Sequence, residues 1–179
     1  MKRAIFFDRD DTLIKNVPYL GDPSLVSLMP GVRENLPRLL AAGFELFLIS
    51  NQSGVGRGLI TKEQVDAVNE EMFRQLGGNF FTDLYMCYTA PGQPDANHER
   101  KPGAGLLFKA RDEHGIDLAN SVIIGDRISD VQCGINGGCK SVLLLHDTED
   151  TPEQREQAKQ LAHFVAEDFA VAVEWILQK

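Results

Sequence analysis

Three aspartates fall within four positions, Asp8, Asp10 and Asp11, directly after the apolar run Ala4-Ile5-Phe6-Phe7 and directly before Thr12. In an extended chain residues i and i+2 point to one side, so Asp8 and Asp10 can face a common site. Carboxylates this close repel one another unless a cation or a set of donors compensates. Asp126 and Asp130 supply two more carboxylates after Val122-Ile123-Ile124. Ser50 supplies a hydroxyl after Phe44 to Ile49, and Lys101 an ammonium just before Pro102-Gly103. Such carboxylates suit Mg²⁺, which binds through few of them and keeps positions open for a substrate phosphate. The N–H groups after Ser50 suit an oxyanion. Taken singly each residue has an ordinary explanation; Asp130, for one, reads as a first-turn helix acid. The set does not, because every member follows a predicted strand or opens a predicted helix.

The elements that must position these residues are legible as alternating short apolar runs and helical patterns. The runs are Ala4 to Phe7, Phe44 to Ile49, Leu84 to Tyr88, Val122 to Ile124 and Val142 to Leu145, with a further short strand at Phe164-Val165. Continuous runs of this length suit strands of a parallel sheet covered on both faces. Between them, Val32, Leu36, Leu39 and Leu40 recur at helical spacing before Gly43. Thr61-Lys62-Glu63-Gln64 reads as a capping box ahead of Val65, Val68, Met72 and Leu76. Gly103 to His114 is a further helix. Ser129 to Gln132 reads as a second capping box and Thr151 to Gln154 as a third, with Pro152 at the first helical position; a last helix covers Phe169 to Leu177. This order predicts an α/β fold, a three-layer doubly wound, Rossmann-like arrangement with a mainly parallel sheet. In such folds the site lies beyond the carboxyl ends of the strands.

Composition narrows the function classes. The chain has 179 residues, a size suited to one domain, read here as residues 1–179. The net charge of −8 disfavours a nucleic-acid partner. The apolar run before Asp8 is too short for a signal peptide or a membrane span, so a cytoplasmic protein without a membrane partner is expected. Cys87, Cys133 and Cys139 form no CxxC pair and read as free thiols. A monomer is expected.

The four segments resemble the four motifs of the haloacid dehalogenase (HAD) superfamily of phosphatases. Asp8-Arg9-Asp10-Asp11-Thr12 is similar to its first motif, DxDx(T/V); Ser50 to the second, Lys101 to the third, and Gly125-Asp126 with Asp130 to the fourth. The resemblance runs from about residue 4 to 145 with every motif in order. It implies that Asp8 is the nucleophile, forming an aspartyl-phosphate, and that Asp10 is the acid and base. Ser50 and Lys101 would hold the phosphoryl oxygens. Asp8, Asp126 and the backbone carbonyl of Asp10 would hold Mg²⁺, with Asp130 outside this set or orienting Lys101. The spacings leave no room for a large cap domain.

Ser50-Asn51-Gln52-Ser53-Gly54-Val55-Gly56-Arg57-Gly58 and Arg100-Lys101-Pro102 resemble the heptose-bisphosphate and histidinol-phosphate phosphatase branch. By that resemblance Asn51, Arg57 and Arg100 contact substrate. The implied substrate is a sugar bisphosphate such as D-glycero-D-manno-heptose 1,7-bisphosphate, with histidinol phosphate as the alternative. Two departures stand out. Asp11 occupies a position where the branch often has Gly. The branch's zinc loop, C-x-H followed by C-x-C, is reduced to Cys87, with Thr89 in place of the histidine and Asn97-His98-Glu99 in place of C-x-C. One cysteine and one histidine do not make the usual four-ligand site, so no structural zinc is expected. His98 reads as a loop residue or a substrate contact. A phosphoreceiver signalling domain is the alternative from another class. It carries its phosphorylated Asp after the third strand, whereas here the third run ends at Cys87-Tyr88. A nucleotide-binding oxidoreductase is rejected because Gly54 to Gly58 lacks GxGxxG spacing.

Overall fold

The first apolar run becomes the centre of the sheet because it can be buried on both sides. All four residues of β1 (Ala4–Phe7) are fully buried. Ile5 and Phe7 enter one apolar layer, Ala4 and Phe6 the other, as the period of two in a strand requires. The computed structural model describes residues 2–146 and 149–178.

Among the described residues the sheet has six strands: β1, β2 (Glu45–Asn51), β3 (Asp83–Cys87), β4 (Val122–Gly125), β5 (Lys140–Leu144) and β6 (Phe164–Ala166). They pair in the order β3-β2-β1-β4-β5-β6, and every pairing is parallel. The sheet is thus wholly parallel where the sequence predicts a mainly parallel one. The chain runs outward from β1 through β2 to β3, then returns to the other side of β1 with β4. Connections therefore leave β1 and β4 in opposite directions, which opens a crevice above their carboxyl ends.

Among the described residues seven α-helices accompany the sheet: α1 (Val32–Ala41), α2 (Ser53–Gly56), α3 (Lys62–Leu76), α4 (Gly105–His114), α5 (Ile128–Gly137), α6 (Pro152–Leu161) and α7 (Phe169–Leu177). One apolar layer draws on α1, α3 and α7, the other on α4 and α5. The capping box at Thr61 forms: the Gln64 N–H donates to Thr61 Oγ1 at 3.2 Å and the Thr61 N–H to Gln64 Oε1 at 2.9 Å. The one at Thr151 forms likewise.

The box expected at Ser129 does not form. Helix α5 begins at Ile128, two residues before the start a Ser129 cap would give, with Arg127 as its cap. The Asp130 carboxylate turns back to accept from the Arg127 N–H at 3.1 Å, and Asp150 Oδ2 accepts from the Ile128 N–H at 2.6 Å. Two acids satisfy the orphan donors of this helix start, so Ser129 is not needed as a cap. Helix α4 begins at Gly105 rather than Gly103. The short α2 forms although two of its four residues are glycine, which disfavours a helix.

Candidate functional site

The carboxyl ends of β1, β2 and β4 bring the motif residues together. Asp8 continues β1, and its N–H donates to Ile124 O on β4 at 3.0 Å, which locks the two strand ends side by side. Ser50 and Asn51 close β2. Asp126 follows β4, and Asp130 stands in the first turn of α5. A cavity of about 550 Å³ opens here, and Asp8, Asp10, Ser50, Asn51, Arg57, Arg100, Lys101 and Asp130 line it. Asp126 is 1% exposed and is absent from the lining.

Lys101 is the hinge of the arrangement. Its ammonium lies 2.8 Å from Asp8 Oδ1 and 2.6 Å from Asp130 Oδ1, and it donates to Ile49 O at 3.1 Å. Burial opposes its charge, but Asp130 and Asp8 more than offset this and hold the ammonium above its ordinary range. Asn51, expected on the substrate, is engaged with Lys101. Its Oδ1 accepts from the Lys101 N–H and its Nδ2 donates to Lys101 O.

One ammonium does not balance the acids around it. Asp8, Asp126 and Asp130 bring carboxylate oxygens within 4.8 Å of one another. Both oxygens of Asp126 are buried without a hydrogen-bond partner, and Asp130 Oδ1 has no partner besides the Lys101 ammonium. Burial, then Asp130, then Asp8 push the Asp126 carboxyl up to about 8. Burial likewise raises that of Asp130, against the pull of Lys101. Orphaned buried carboxylate oxygens are costly unless a cation satisfies them. The donor set is all oxygen, which suits a hard divalent cation such as Mg²⁺, and such an ion would reverse both shifts.

Asp10 stands beside this cluster. Its side chain is 23% exposed, and burial followed by the nearby Asp8 charge raises its pKa against the opposing field of Arg9. Asp11 adopts a positive φ of 55°, while its Oδ1 accepts from the Asn16 N–H at 3.0 Å. This conformation explains the departure seen in the sequence. Glycine takes a left-handed turn freely, and aspartate is among the few residues that tolerate one.

The cations expected to meet substrate lie at the cavity. Arg57 is exposed, and Arg100 is half-buried with its Nη1 donating to Thr89 O at 3.0 Å. Burial, with the positive fields of Arg57 and Arg127, lowers the pKa of Arg100. Arg127, which the sequence does not single out, also lines the cavity and pairs with Glu149 at 2.7 Å. His98 is exposed, with a positive φ of 51°, and does not line the cavity. The loop that carries it is held by side chains: Asp95 accepts from the N–H groups of Glu99 and Arg100, and Gln93 Oε1 from that of Ala90. Among the described residues, neither cluster of metal-ligand type includes Cys87 or His98.

Comparison with known proteins gives the class of this chain. The family described as HAD-hydrolase-like matches residues 98–172. The chain belongs to the HAD-like hydrolases and is a phosphoric monoester hydrolase of that class. Its relatives narrow the class. It is 34% identical over 185 residues to a D-glycero-D-manno-heptose-1,7-bisphosphate 7-phosphatase of Thermosynechococcus vestitus, covering 97% of this chain and 94% of the relative. It is 33% identical over 174 residues to the D-glycero-beta-D-manno-heptose-1,7-bisphosphate 7-phosphatase of Escherichia coli K12, covering 92% and 90%. In structure it is similar to the D,D-heptose 1,7-bisphosphate phosphatase of B. bronchiseptica complexed with magnesium and phosphate. That match has a TM-score of 0.84, 27% identity and 99% of both chains covered. No helix among the described residues is long and apolar enough to cross a membrane.

Proposed function

We propose that this chain is a Mg²⁺-dependent phosphatase that hydrolyses a sugar bisphosphate, D-glycero-D-manno-heptose 1,7-bisphosphate being the first candidate, through an aspartyl-phosphate on Asp8. The observation that carries the reading is the Lys101 ammonium lodged between Asp8 and Asp130, with the Asp126 carboxylate, which has no hydrogen-bond partner, beside them.

Asp8 Oδ attacks phosphorus, and the bond from phosphorus to the leaving oxygen breaks as Asp10 gives that oxygen its proton. Water then attacks phosphorus of the acyl phosphate. Asp10 takes the water's proton, and the Asp8 carboxylate leaves, restoring the starting state. Ser50 and Lys101 bind the phosphoryl oxygens, and their charge and hydrogen bonds count most as negative charge spreads over those oxygens. Asp8, Asp126 and the carbonyl of Asp10 would hold Mg²⁺, with Asp130 restraining Lys101. When bound, the ion offsets the repulsion between the Asp8 carboxylate and an anionic phosphate. Arg57 and Arg100 take the second phosphate of the substrate, for which arginine forks are suited. Residues 1–179 act as one catalytic unit without a separate cap, so short loops select the substrate.

The enzyme works as a cytoplasmic monomer on small metabolites, not on nucleic acid, for which a net charge of −8 is a poor match. A signalling receiver is disfavoured because Asp8 follows β1, while β3, at the sheet edge, ends at Cys87. A Mg²⁺-dependent phosphate-release screen tests the reading, with both anomers of heptose 1,7-bisphosphate, histidinol phosphate and fructose 1,6-bisphosphate. Preference for heptose 1,7-bisphosphate supports it. Preference for histidinol phosphate would overturn the substrate, and release of no more than one phosphate per chain would overturn the enzyme.

A further inference from the structure

Arg9 and Gln52 fall outside the motif roles above, yet they are built into the floor of the site. Arg9 is the largest fully buried side chain among the described residues, at 1% exposure, and Gln52 is 6% exposed. Arg9 spends its donors on three neighbours. Its Nε and Nη2 reach the Asp10 carboxylate at 3.3 Å, Nη2 also reaches Gln52 Oε1 at 3.0 Å, and Nη1 reaches Asn69 Oδ1 on α3 at 3.2 Å.

The guanidinium has donors only, so it fixes which way the Gln52 amide points. The oxygen must face Arg9, and Nε2 must then face the site. There Nε2 lies 2.9 Å from Asp10 Oδ2 and 2.9 Å from Ser50 Oγ, and both accept. This settles the polarity of Ser50 as well. A hydroxyl that accepts from Gln52 keeps its single hydrogen for a bond directed elsewhere. We infer that Arg9 and Gln52 form a positioning pair, tied to α3 through Asn69, that orients the Asp10 carboxyl toward the leaving oxygen. This rests on the reading of Asp10 as acid and base.

Leaving-group chemistry separates such a role from a merely structural one. An alkoxide must be protonated as it departs, whereas p-nitrophenolate leaves without help. The test compares the first turnover of two substrates with Mg²⁺: heptose 1,7-bisphosphate, whose 7-phosphate is an alkyl ester, and p-nitrophenyl phosphate. Gln52→Leu should slow the alkyl ester by about 30-fold or more and nitrophenolate release by less than about 5-fold, since acid catalysis is worth about 10²- to 10⁴-fold. Gln52→Glu keeps the shape and the acceptor for Arg9 but removes both donors. It should show the same split, and it carries the test if Gln52→Leu does not fold. Asp10→Asn is the comparator. If it shows the split and the Gln52 variants slow both esters alike, or neither, the positioning role is overturned while the acid role of Asp10 stands. If wild type hydrolyses neither ester, or Asp10→Asn shows no split, the functional reading falls and this inference with it.

Discussion

Asn51 closes two hydrogen bonds on the main chain of Lys101, at 3.0 Å to its N–H and 3.1 Å to its carbonyl. The last residue of β2 thereby holds a residue 50 positions further along the chain, and the ammonium has only to reach back to Ile49, Asp8 and Asp130. Asn51→Ala leaves both main-chain groups without these partners, at a cost of about 1–3 kcal/mol. A shift of Lys101 on the order of 1 Å lowers kcat by about 100-fold. Denaturant melts and steady-state kinetics check both figures. A kcat within about 3-fold of wild type would mean Lys101 is positioned without Asn51.

Stability should depend on pH and on Mg²⁺ together. The Asp126 carboxyl stands at about 8, against about 3.9 for an aspartate in an unfolded chain. Without a divalent ion the folded protein keeps a proton there that the unfolded chain gives up. The stability this contributes is fully present below about pH 4 and is lost as pH rises through about 8. Protons and Mg²⁺ compete for the same oxygens. The EDTA-treated protein should therefore melt at a lower temperature at about pH 8 than at about pH 6, and Mg²⁺ should raise Tm more at the higher pH. Asp126→Asn should flatten both trends. A Mg²⁺ effect that shrinks with rising pH would contradict this account.

Gly125 ends β4 where no side chain fits: a Cβ there would lie 2.3 Å from Asp130 Cγ and Oδ2. Gly125→Ala should displace Asp130 from Lys101 and from the Arg127 N–H, costing about 1–3 kcal/mol of stability. The Mg²⁺ concentration for half-maximal activity should rise with it. Wild-type stability and an unchanged Mg²⁺ requirement would show that Asp130 has room to move.

Zinc should be absent from the purified enzyme. Cys87 is 1% exposed, and hydrogen bonds to Asp95 and Gln93 organise the loop before Lys101. Elemental analysis should find less than about 0.1 zinc per chain, since a structural site needs four ligands. Treatment with EDTA followed by Mg²⁺ should restore full activity. One zinc per chain would overturn this expectation.

Much of this was legible in the sequence, for physical reasons. Strands buried on both faces must be continuous apolar runs, so β1 and β4 stand out, and with them the acids that follow. Thr61 and Thr151 announce their helices because a capping box is local, closed within four residues. The start of α5 is not local. Asp150, 22 positions away, caps Ile128, and no pattern around Ser129 reveals it. Arg9 and Gln52 are hidden for the same reason. Arg9 stands between two acids in the sequence, and only the fold brings Gln52 and Asn69 to it. Asn51 was visible as a site residue, but its hold on Lys101 depends on how the loop ahead of α4 returns to β2.

The central claim is that Asp8 becomes phosphorylated, and an acyl phosphate can be trapped where it forms. Borohydride reduction during turnover with Mg²⁺ and substrate converts a phosphorylated aspartate to homoserine, which peptide mass spectrometry locates. Homoserine should appear at position 8 alone, only when substrate is present, and not in Asp8→Asn, which should lose turnover while keeping its fold. Homoserine at another aspartate, or near wild-type activity in Asp8→Asn, would contradict the account.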